Sequence, residues 1–305
     1  MTSVGVVCVT HDSEAELPSL LDSLALAAGA GIVIRCVVAD SGSTDRSLAI
    51  ARDRLGGDAF SLGANAGYAT GINAGARRLS ACDALCVVNP DVRLHPGSLA
   101  RLCETLALPG TGIVAPRLVD TAGATRPSLR RDPRVTRVLG DALLGGRIAG
   151  RFPLLGEMET RASRYARPAV VDWATGAALL ISRACLDRVG PWDERFFLYS
   201  EEVDFAIRAR AAGFLIRYDP RAVVQHAEGD FSRSPELASL LSVNRVRCYR
   251  KHHAMPQTVA FQLALLLKEL VRSRDPVARQ TARALVHHRS HSEPARAPLP
   301  REVRG

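Results

Sequence analysis

Residues 32–45 read IVIRCVVADSGSTD, and this stretch decides the fold. A largely apolar, β-branched run over residues 32–39 stops at Asp40 and a Ser-Gly turn, and a helical pattern follows from about Ser43 to Leu55. The same rhythm extends outward in both directions. Upstream lie an apolar run over 4–9 and a helical pattern over 14–28. Downstream come a short strand near Phe60, a helix over 68–79, a strand over 85–88 and a helix over 96–108 that begins with Pro96 and ends at Pro109 and Gly110. Continuous apolar strands separated by amphipathic helices imply an α/β chain with a mostly parallel central sheet and helices on both faces. In such a sheet ligands sit outside the carboxyl ends of the strands. Those ends carry Thr10, His11 and Asp12; Asp40, Ser41 and Gly42; the loop GANAG at 63–67; and Asn89, Pro90 and Asp91, all polar and turn-forming.

The chain has 305 residues, 47% hydrophobic and 23% charged, enough to bury a sizeable core and too apolar for disorder throughout. No run approaches the roughly 18 apolar residues of a bilayer span, which excludes a polytopic membrane protein. The net charge of +9 is unevenly placed. Residues 1–243 hold 27 Lys and Arg against 27 Asp and Glu, whereas residues 244–305 hold 13 basic and 4 acidic residues. A neutral body with a polycationic tail points to a polyanionic partner or to a merely solvated tail. Seven scattered cysteines, several inside apolar runs, read as reduced core residues rather than disulfides or a zinc site. With no leader-like N-terminal pattern, the expected compartment is the cytoplasm.

Residues 117–168 are poor in periodicity and rich in Arg, Gly and Pro, a long connection carrying a short helix near 139–148. A second half follows, with a strand over 177–181, helices over 183–189 and 201–212, and strands over 215–218 and 222–225. Beyond Pro235 the chain turns helical and basic. The segment 257–272 sets Val259, Phe261, Leu263, Leu266, Leu267 and Leu270 on a wide apolar face beside Lys268 and Arg272. It is too short to span a bilayer; it either lies in the headgroup region or packs on the body. After His287 the composition suggests a disordered end.

Three places carry candidate chemistry. Asp40 leaves its strand beside a tight turn and a helix start capped by Ser43 or Thr44, well placed to accept hydrogen bonds from a nucleotide, whereas Asp45 has the local task of capping. No G-x-G-x-x-G follows either strand, which argues against a dinucleotide cofactor. Asp91, held by Pro90 after a strand in mid-sheet, can coordinate a hard divalent cation if a second ligand arrives, and His226, ending the strand AVVQH, is the candidate. At the start of a helix, Glu201, Glu202 and Asp204 favour the dipole; adjacent carboxylates also raise one another's pKa, as a general base needs, and helical spacing lets at most one act as base.

The set ADSGSTD, NAGYATGINAG, VVNPDV, WATGAALLISR, VGPWDERFFLYSEEVDFAIRARAAGF and VVQH, in that order over residues 2 to about 230, resembles family 2 glycosyltransferases of the GT-A fold, in the bacterial rhamnosyltransferase-like branch. The resemblance implies inverting transfer of a sugar, such as rhamnose, from a nucleoside diphosphate donor, dTDP- or UDP-linked, to a hydroxyl of a saccharide or polyprenyl-linked acceptor. Thr10, His11 and Asp40 fall where the family holds the nucleoside, and Asn65, Gly67, Tyr68, Asn73 and Asn89 fall along the donor. The D-x-D position is N-P-D here, leaving Asp91 as metal ligand with His226, for Mg²⁺ or Mn²⁺. The E-D pair is E-E here, so Glu202 takes the base's place and Glu201 its companion. Trp173, Thr175, Gly176, Trp192 and Asp193 fall in acceptor-side segments.

The organisation expected from this is a nucleotide-sugar-binding half over 1–116, an acceptor-binding and catalytic half over 117–243 of the same domain, and a basic helical tail over 244–305. The tail fits a cytoplasmic protein peripheral on the inner face of the plasma membrane, where cell-wall or exopolysaccharide precursors carry lipid anchors. Asn89 and Glu202 also admit a catalytically silent nucleotide-sugar-binding or scaffold protein of the same fold. A nucleic-acid partner is not expected, because Tyr249 and Phe261 are the only aromatic residues from 244 onward to stack on bases.

Overall fold

A computed structural model of the protein describes residues 2–29, 31–227 and 234–287. The first elements are β1 (Thr2–Thr10), α1 (Leu17–Ala27), β2 (Ile32–Asp40), α2 (Ser47–Leu55), β3 (Ala59–Ser61), α3 (Tyr68–Arg78), β4 (Ala84–Val88), β5 (Val92–Leu94), α4 (Ser98–Leu106) and β6 (Thr111–Val119). Then follow β7 (Leu129–Arg130), α5 (Val135–Leu144), α6 (Gly146–Ala149), α7 (Ala162–Tyr165), β8 (Ala169–Val171), β9 (Trp173–Ala174), β10 (Ala178–Ser182), α8 (Arg183–Val189), α9 (Glu201–Ala211) and β11 (Leu215–His226). The C-terminal part is helical: α10 (Pro235–His252), α11 (Met255–Val271) and α12 (Pro276–His287). The chain packs as two compact units, one of residues 2–131, 158–194 and 201–227, the other of residues 132–157, 195–200 and 234–287.

The first unit is built on a nine-stranded sheet in the order β3-β2-β1-β4-β10-β6-β11-β5, with β8 also on β11. Strands β1 to β4 pair in parallel, as their unbroken apolar runs require. β10 then enters between β4 and β6 antiparallel to both, so the sheet as a whole is mixed. Side chains alternate along β1. Val4, Val6 and Cys8 face Leu17, Leu20 and Leu24 of α1 and Leu99 and Leu102 of α4 in one core. Val7 and Val9 face α3, whose Gly71 and Gly75 leave no room for a methyl group: a Cβ there would lie 2.6 and 2.7 Å from the valine Cγ atoms. Two glycines one turn apart thus let α3 lie directly on β1.

β6 was not evident from the sequence, because Pro116 sits in its middle and its end falls in the Arg- and Pro-rich stretch. A proline has no N–H for a ladder and is tolerated in a sheet where the ladder is already interrupted. Here Pro116 pairs with Asp219 at the irregularity of β11 between Asp219 and Val223. That same irregularity joins the two strands expected over 215–218 and 222–225 into one. Asp219 is fully buried there, accepting from the Thr105 hydroxyl at 2.6 Å and from the Arg221 amide at 2.9 Å and guanidinium at 2.7 Å.

In the second unit the short helix expected near 139–148 is α5 followed by α6. Its core gathers Val138, Val246, Tyr249, Phe261, Ala264, Leu265 and Leu285, with the Tyr249 ring stacked on Phe261 at 4.1 Å and on His253 at 3.8 Å. Among the described residues no helix is long and apolar enough to cross a membrane. The disordered end expected beyond His287 lies outside the described residues.

Candidate active site

The carboxyl ends of β1 and β2 meet in register, Thr10 opposite Asp40. Both residues are buried. Asp40 accepts one bond, from the Ser43 amide at 3.2 Å, through Oδ2; its Oδ1 and the Thr10 hydroxyl are buried without a protein partner among the described residues. Buried polar atoms normally find partners, so this pair at the head of two strands stands out. His11 is fixed beside them: its Nδ1 lies 2.9 Å from the Ser41 carbonyl and its Nε2 3.4 Å from the Asn65 side-chain amide. Ser41, at the same strand end, donates its hydroxyl to Asn65 Oδ1 at 3.3 Å and accepts from the Ala66 amide at 3.0 Å, tying the 63–67 loop to the end of β2. Gly42, at a φ of +73°, lies so close to Ala64 and Asn65 that a Cβ would come within 2.8 Å of their backbone. Neither Ser43 nor Thr44 caps α2, whose N-cap is Arg46; Asp45 lies just before it, and its carboxylate accepts from the Ser47 amide at 2.9 Å and hydroxyl at 2.5 Å. Partial burial pushes its pKa up, and the Ser47 and Glu14 hydrogen bonds outweigh that and hold it below the usual value.

The turn of Asn89, Pro90 and Asp91 is pinned on three sides. The Asn89 amide donates to the Ala177 carbonyl at 2.9 Å, the Tyr68 hydroxyl donates to Asn89 Oδ1 at 2.7 Å, and the Asp91 carbonyl accepts from the Ala227 amide at 3.1 Å. Because β5 starts one residue after Asp91 and pairs antiparallel with β11, Val92 stands opposite His226. The register therefore delivers the imidazole to the carboxylate: His226 Nε2 lies 3.2 Å from Asp91 Oδ2. Two ligands about 2.1 Å from an octahedral cation are about 3 Å apart, so the pair has the spacing of adjacent ligands. The donor set, one carboxylate and one imidazole, would suit a divalent ion that takes further ligands from elsewhere. Among the described residues no group of three or more His, Cys, Asp and Glu side chains could hold a metal by itself.

Glu201 and Glu202 open α9 immediately after two residues in the left-handed region, Tyr199 at φ +70° and Ser200 at +73°. Such residues cost of order 1–3 kcal/mol each and mark places where the surrounding structure imposes the backbone. Glu201 is buried and Glu202 half-buried. Burial first, and then the neighbouring Glu202, hold the Glu201 carboxyl well above the usual carboxylate range. Glu202 lies against Gly176, where a Cβ would stand 3.4 Å from its Cβ and 3.5 Å from its Cγ. Asp204 is a structural member of the trio, fully buried and bonded to Arg208 at 2.8 Å. The Arg208 guanidinium in turn holds the Val189 and Pro191 carbonyls. Tyr68 links the carboxylates electrostatically: burial of its hydroxyl, then Cys8, Glu201, Glu202 and Asp91, push its pKa up.

The remaining expected residues divide. Thr175 donates its amide to the Ser128 carbonyl at 3.0 Å, and Trp173 and Trp192 are buried. The Trp173 indole donates to the Arg131 carbonyl at 3.0 Å, and the Trp192 ring stacks on Phe205 of α9 at 4.7 Å. Asn73 is buried and bonds to the Trp192 main chain and to Glu194. Asp193 is half-buried beside Trp192, and Gly67, at φ +88°, precedes α3. The structure thus brings together Asp91 and His226, and Glu202 and Gly176, and sets both tryptophans into packing.

Comparisons with known proteins fit this geometry. Residues 5–155 match the family model Glycosyl transferase family 2. The chain is 33% identical over 233 residues to the N-acetylglucosaminyl-diphospho-decaprenol L-rhamnosyltransferase of Mycobacterium tuberculosis, covering 72% of this chain and 75% of that one. It is 25% identical over 214 residues to the low-salt glycan biosynthesis hexosyltransferase Agl10 of Haloferax volcanii, covering 69% and 62%. Among solved structures it is similar to GalNAc-T7 with UDP, GalNAc and Mn²⁺, at a TM-score of 0.61 and 14% identity, covering 95% of this chain and 55% of that one. It is also similar to the mannosyltransferase PcManGT of Pyrobaculum calidifontis with GDP-Man and Mn²⁺, at a TM-score of 0.53 and 17% identity, covering 95% and 76%. The mixed sheet is therefore that of a GT-A fold, and the chain belongs to glycosyl transferase family 2.

Proposed function

We propose that this protein moves a sugar, rhamnose among the candidates, from a dTDP- or UDP-linked donor to a hydroxyl of a lipid-linked saccharide, with inversion at the anomeric carbon. The observation that carries the reading is the Asp91–His226 pair, 3.2 Å apart beside the turn that the Tyr68 hydroxyl holds through Asn89, with the carboxylates of Asp91 and Glu202 both within electrostatic reach of that hydroxyl. The names of the mycobacterial relative and of the two structural neighbours support it, the first by its diphospho-decaprenol acceptor, the others by their nucleotides and Mn²⁺.

Thr10 and Asp40 offer a hydroxyl and a carboxylate oxygen to the nucleoside. Asp91 and His226 would hold Mg²⁺ or Mn²⁺, which when bound neutralises charge on the departing diphosphate. Glu202 accepts the proton of the acceptor hydroxyl as that oxygen bonds to the anomeric carbon. The bond from that carbon to the diphosphate oxygen breaks on the opposite side, and one displacement inverts the configuration. Burial favours the protonated form of Glu201, and Glu202, the less buried of the two, stands in the base's place. A lipid-linked acceptor lies at the inner face of a membrane, consistent with the basic C-terminal residues.

A thermal-shift panel of UDP-, dTDP- and GDP-sugars with and without Mn²⁺ tests the reading, because a ligand of the folded state raises its stability with affinity. One donor is expected to give a Mn²⁺-dependent rise, with transfer abolished in Glu202→Gln. A folded protein that responds to none of these donors refutes it. Binding without turnover identifies the silent homologue instead.

A further inference from the structure

Among the described residues α11 has one side covered and another, apolar side exposed. Phe261, Ala264 and Leu265 pack into the core of the second unit. Its only charged residues, Lys268 and Glu269, turn the same way: Glu269 is buried, and burial pulls the Lys268 ammonium below its ordinary pKa. On the opposite side every fourth residue, Met255, Val259, Leu263, Leu267 and Val271, is an exposed hydrophobe, with Leu270 (53% exposed) beside them. An uncharged stripe along a seventeen-residue helix is more than scattered surface hydrophobicity. The same unit exposes a second apolar segment around α6, where Ile148 and Phe152 are about half exposed and Leu143 and Leu154 are 73% and 70% exposed.

The charges at the borders of these two segments identify what covers them. Residues 143–155 contain Arg147 and Arg151 and no acidic residue; α11 is followed by Arg272 and Arg274 and preceded by Lys251. An isologous contact with a second copy would bring these cations together, while Glu269 is buried and Asp275 is already engaged by Arg272 at 3.2 Å. Anionic lipid headgroups answer them, while the leucines enter the acyl boundary and the arginine stems reach back to phosphate. We infer that the exposed faces of α11 and of the α6 segment form a docking surface for an anionic lipid bilayer, with α11 lying in the interface plane rather than crossing it. This deepens the lipid-linked acceptor reading by naming the surface that would bring the enzyme to such an acceptor. It does not require that reading, since lipid capture is measured without sugar donor or acceptor.

The test is co-sedimentation of the full chain with vesicles of about one-quarter phosphatidylglycerol in phosphatidylcholine, against phosphatidylcholine alone. The wild type is expected to pellet with the first and much less with the second, and to be partly released by salt. Leu263→Glu with Leu267→Glu, both at exposed positions, is expected to keep the melting temperature and circular dichroism of the wild type and to weaken capture at least about tenfold. As a second readout, Leu263→Trp is expected to shift its fluorescence to the blue on adding the anionic vesicles. Wild-type protein that stays in the supernatant, a double variant that pellets undiminished, or a Leu263→Trp emission spectrum blind to vesicles each overturns the inference. So does a concentration-dependent dimer that the double variant abolishes, which would assign the stripe to a second copy of the chain.

Discussion

The side-chain amide of Asn73 closes a pair of hydrogen bonds on the main chain of Trp192, 119 residues away: Nδ2 donates to the Trp192 carbonyl at 2.9 Å, and Oδ1 accepts from the Trp192 amide at 2.9 Å. A second Nδ2 bond reaches Glu194 at 2.9 Å. Trp192 stacks on Phe205, and Phe205 is on the helix that starts with Glu201 and Glu202. Helix α3, which follows the expected donor loop, is thereby joined to the carboxylate-bearing helix through one amide and two rings. The sequence pattern set Asn73 beside the donor; the structure commits its amide to the backbone.

Asn73→Ala leaves a buried amide and carbonyl of Trp192 without partners, at about 1–3 kcal/mol each, so urea denaturation should show a loss of about 2–6 kcal/mol. If Asn73 acts by holding Trp192 and α9 in place, kcat falls about tenfold while the donor KM changes little. A donor KM that rises in step with the loss of kcat/KM would show instead that Asn73 touches the donor.

His226→Ala removes one of the two side chains that would hold the divalent ion. Titrating activity with Mn²⁺ should show the half-activating concentration rising by about 10–100-fold, with part of the rate recovered at saturation. Asp91→Ala, which takes away the charged member, should lower the rate at least about a hundredfold at any Mn²⁺ concentration. Activity indifferent to chelators in the wild type would exclude the pair as a metal site.

The parts of the site that could be read from the sequence are those made by residues next to each other in the chain. Strand ends such as Thr10, Asp40 and Asp91 follow apolar runs that mark themselves, and α3 and α8 carry clear helical patterns. Long-range pairings were legible only where chemistry demanded a partner, as Asp91 demanded His226. The register that joins those two depends on β5, whose three residues are too few to show a period. The bond between Asn73 and Trp192 was hidden for a related reason: an amide meeting a backbone leaves no trace in residue type, since any residue could supply that backbone. β6 was masked by Pro116, whose missing N–H is accommodated by an irregularity in a strand a hundred residues later.

Glu202→Gln keeps the size of the side chain and removes its capacity to take a proton. Transfer should fall by about 10²–10⁴, the usual contribution of a positioned base, while donor-induced thermal stabilisation is retained. Glu202→Asp should keep more activity than Glu202→Gln, since only the reach of the carboxylate changes. Equal activity in the wild type and Glu202→Gln would require another base.

Glu201 makes the stability of the protein depend on pH in a definite direction. Burial and the adjacent Glu202 raise its folded pKa, so between the unfolded value near 4.5 and that raised value the folded chain holds a proton the unfolded chain has released. The unfolded state then binds fewer protons, and stability falls as pH rises through this window. Below the unfolded pKa both states are protonated and the penalty vanishes. Glu201→Gln cannot ionise and escapes it, so the melting temperature of the variant relative to the wild type should climb as pH rises from about 5 toward the raised pKa. A difference that stays flat over that range, or shrinks, would mean that Glu201 is already ionised in the folded protein and that Glu202 does not carry the charge of the pair alone.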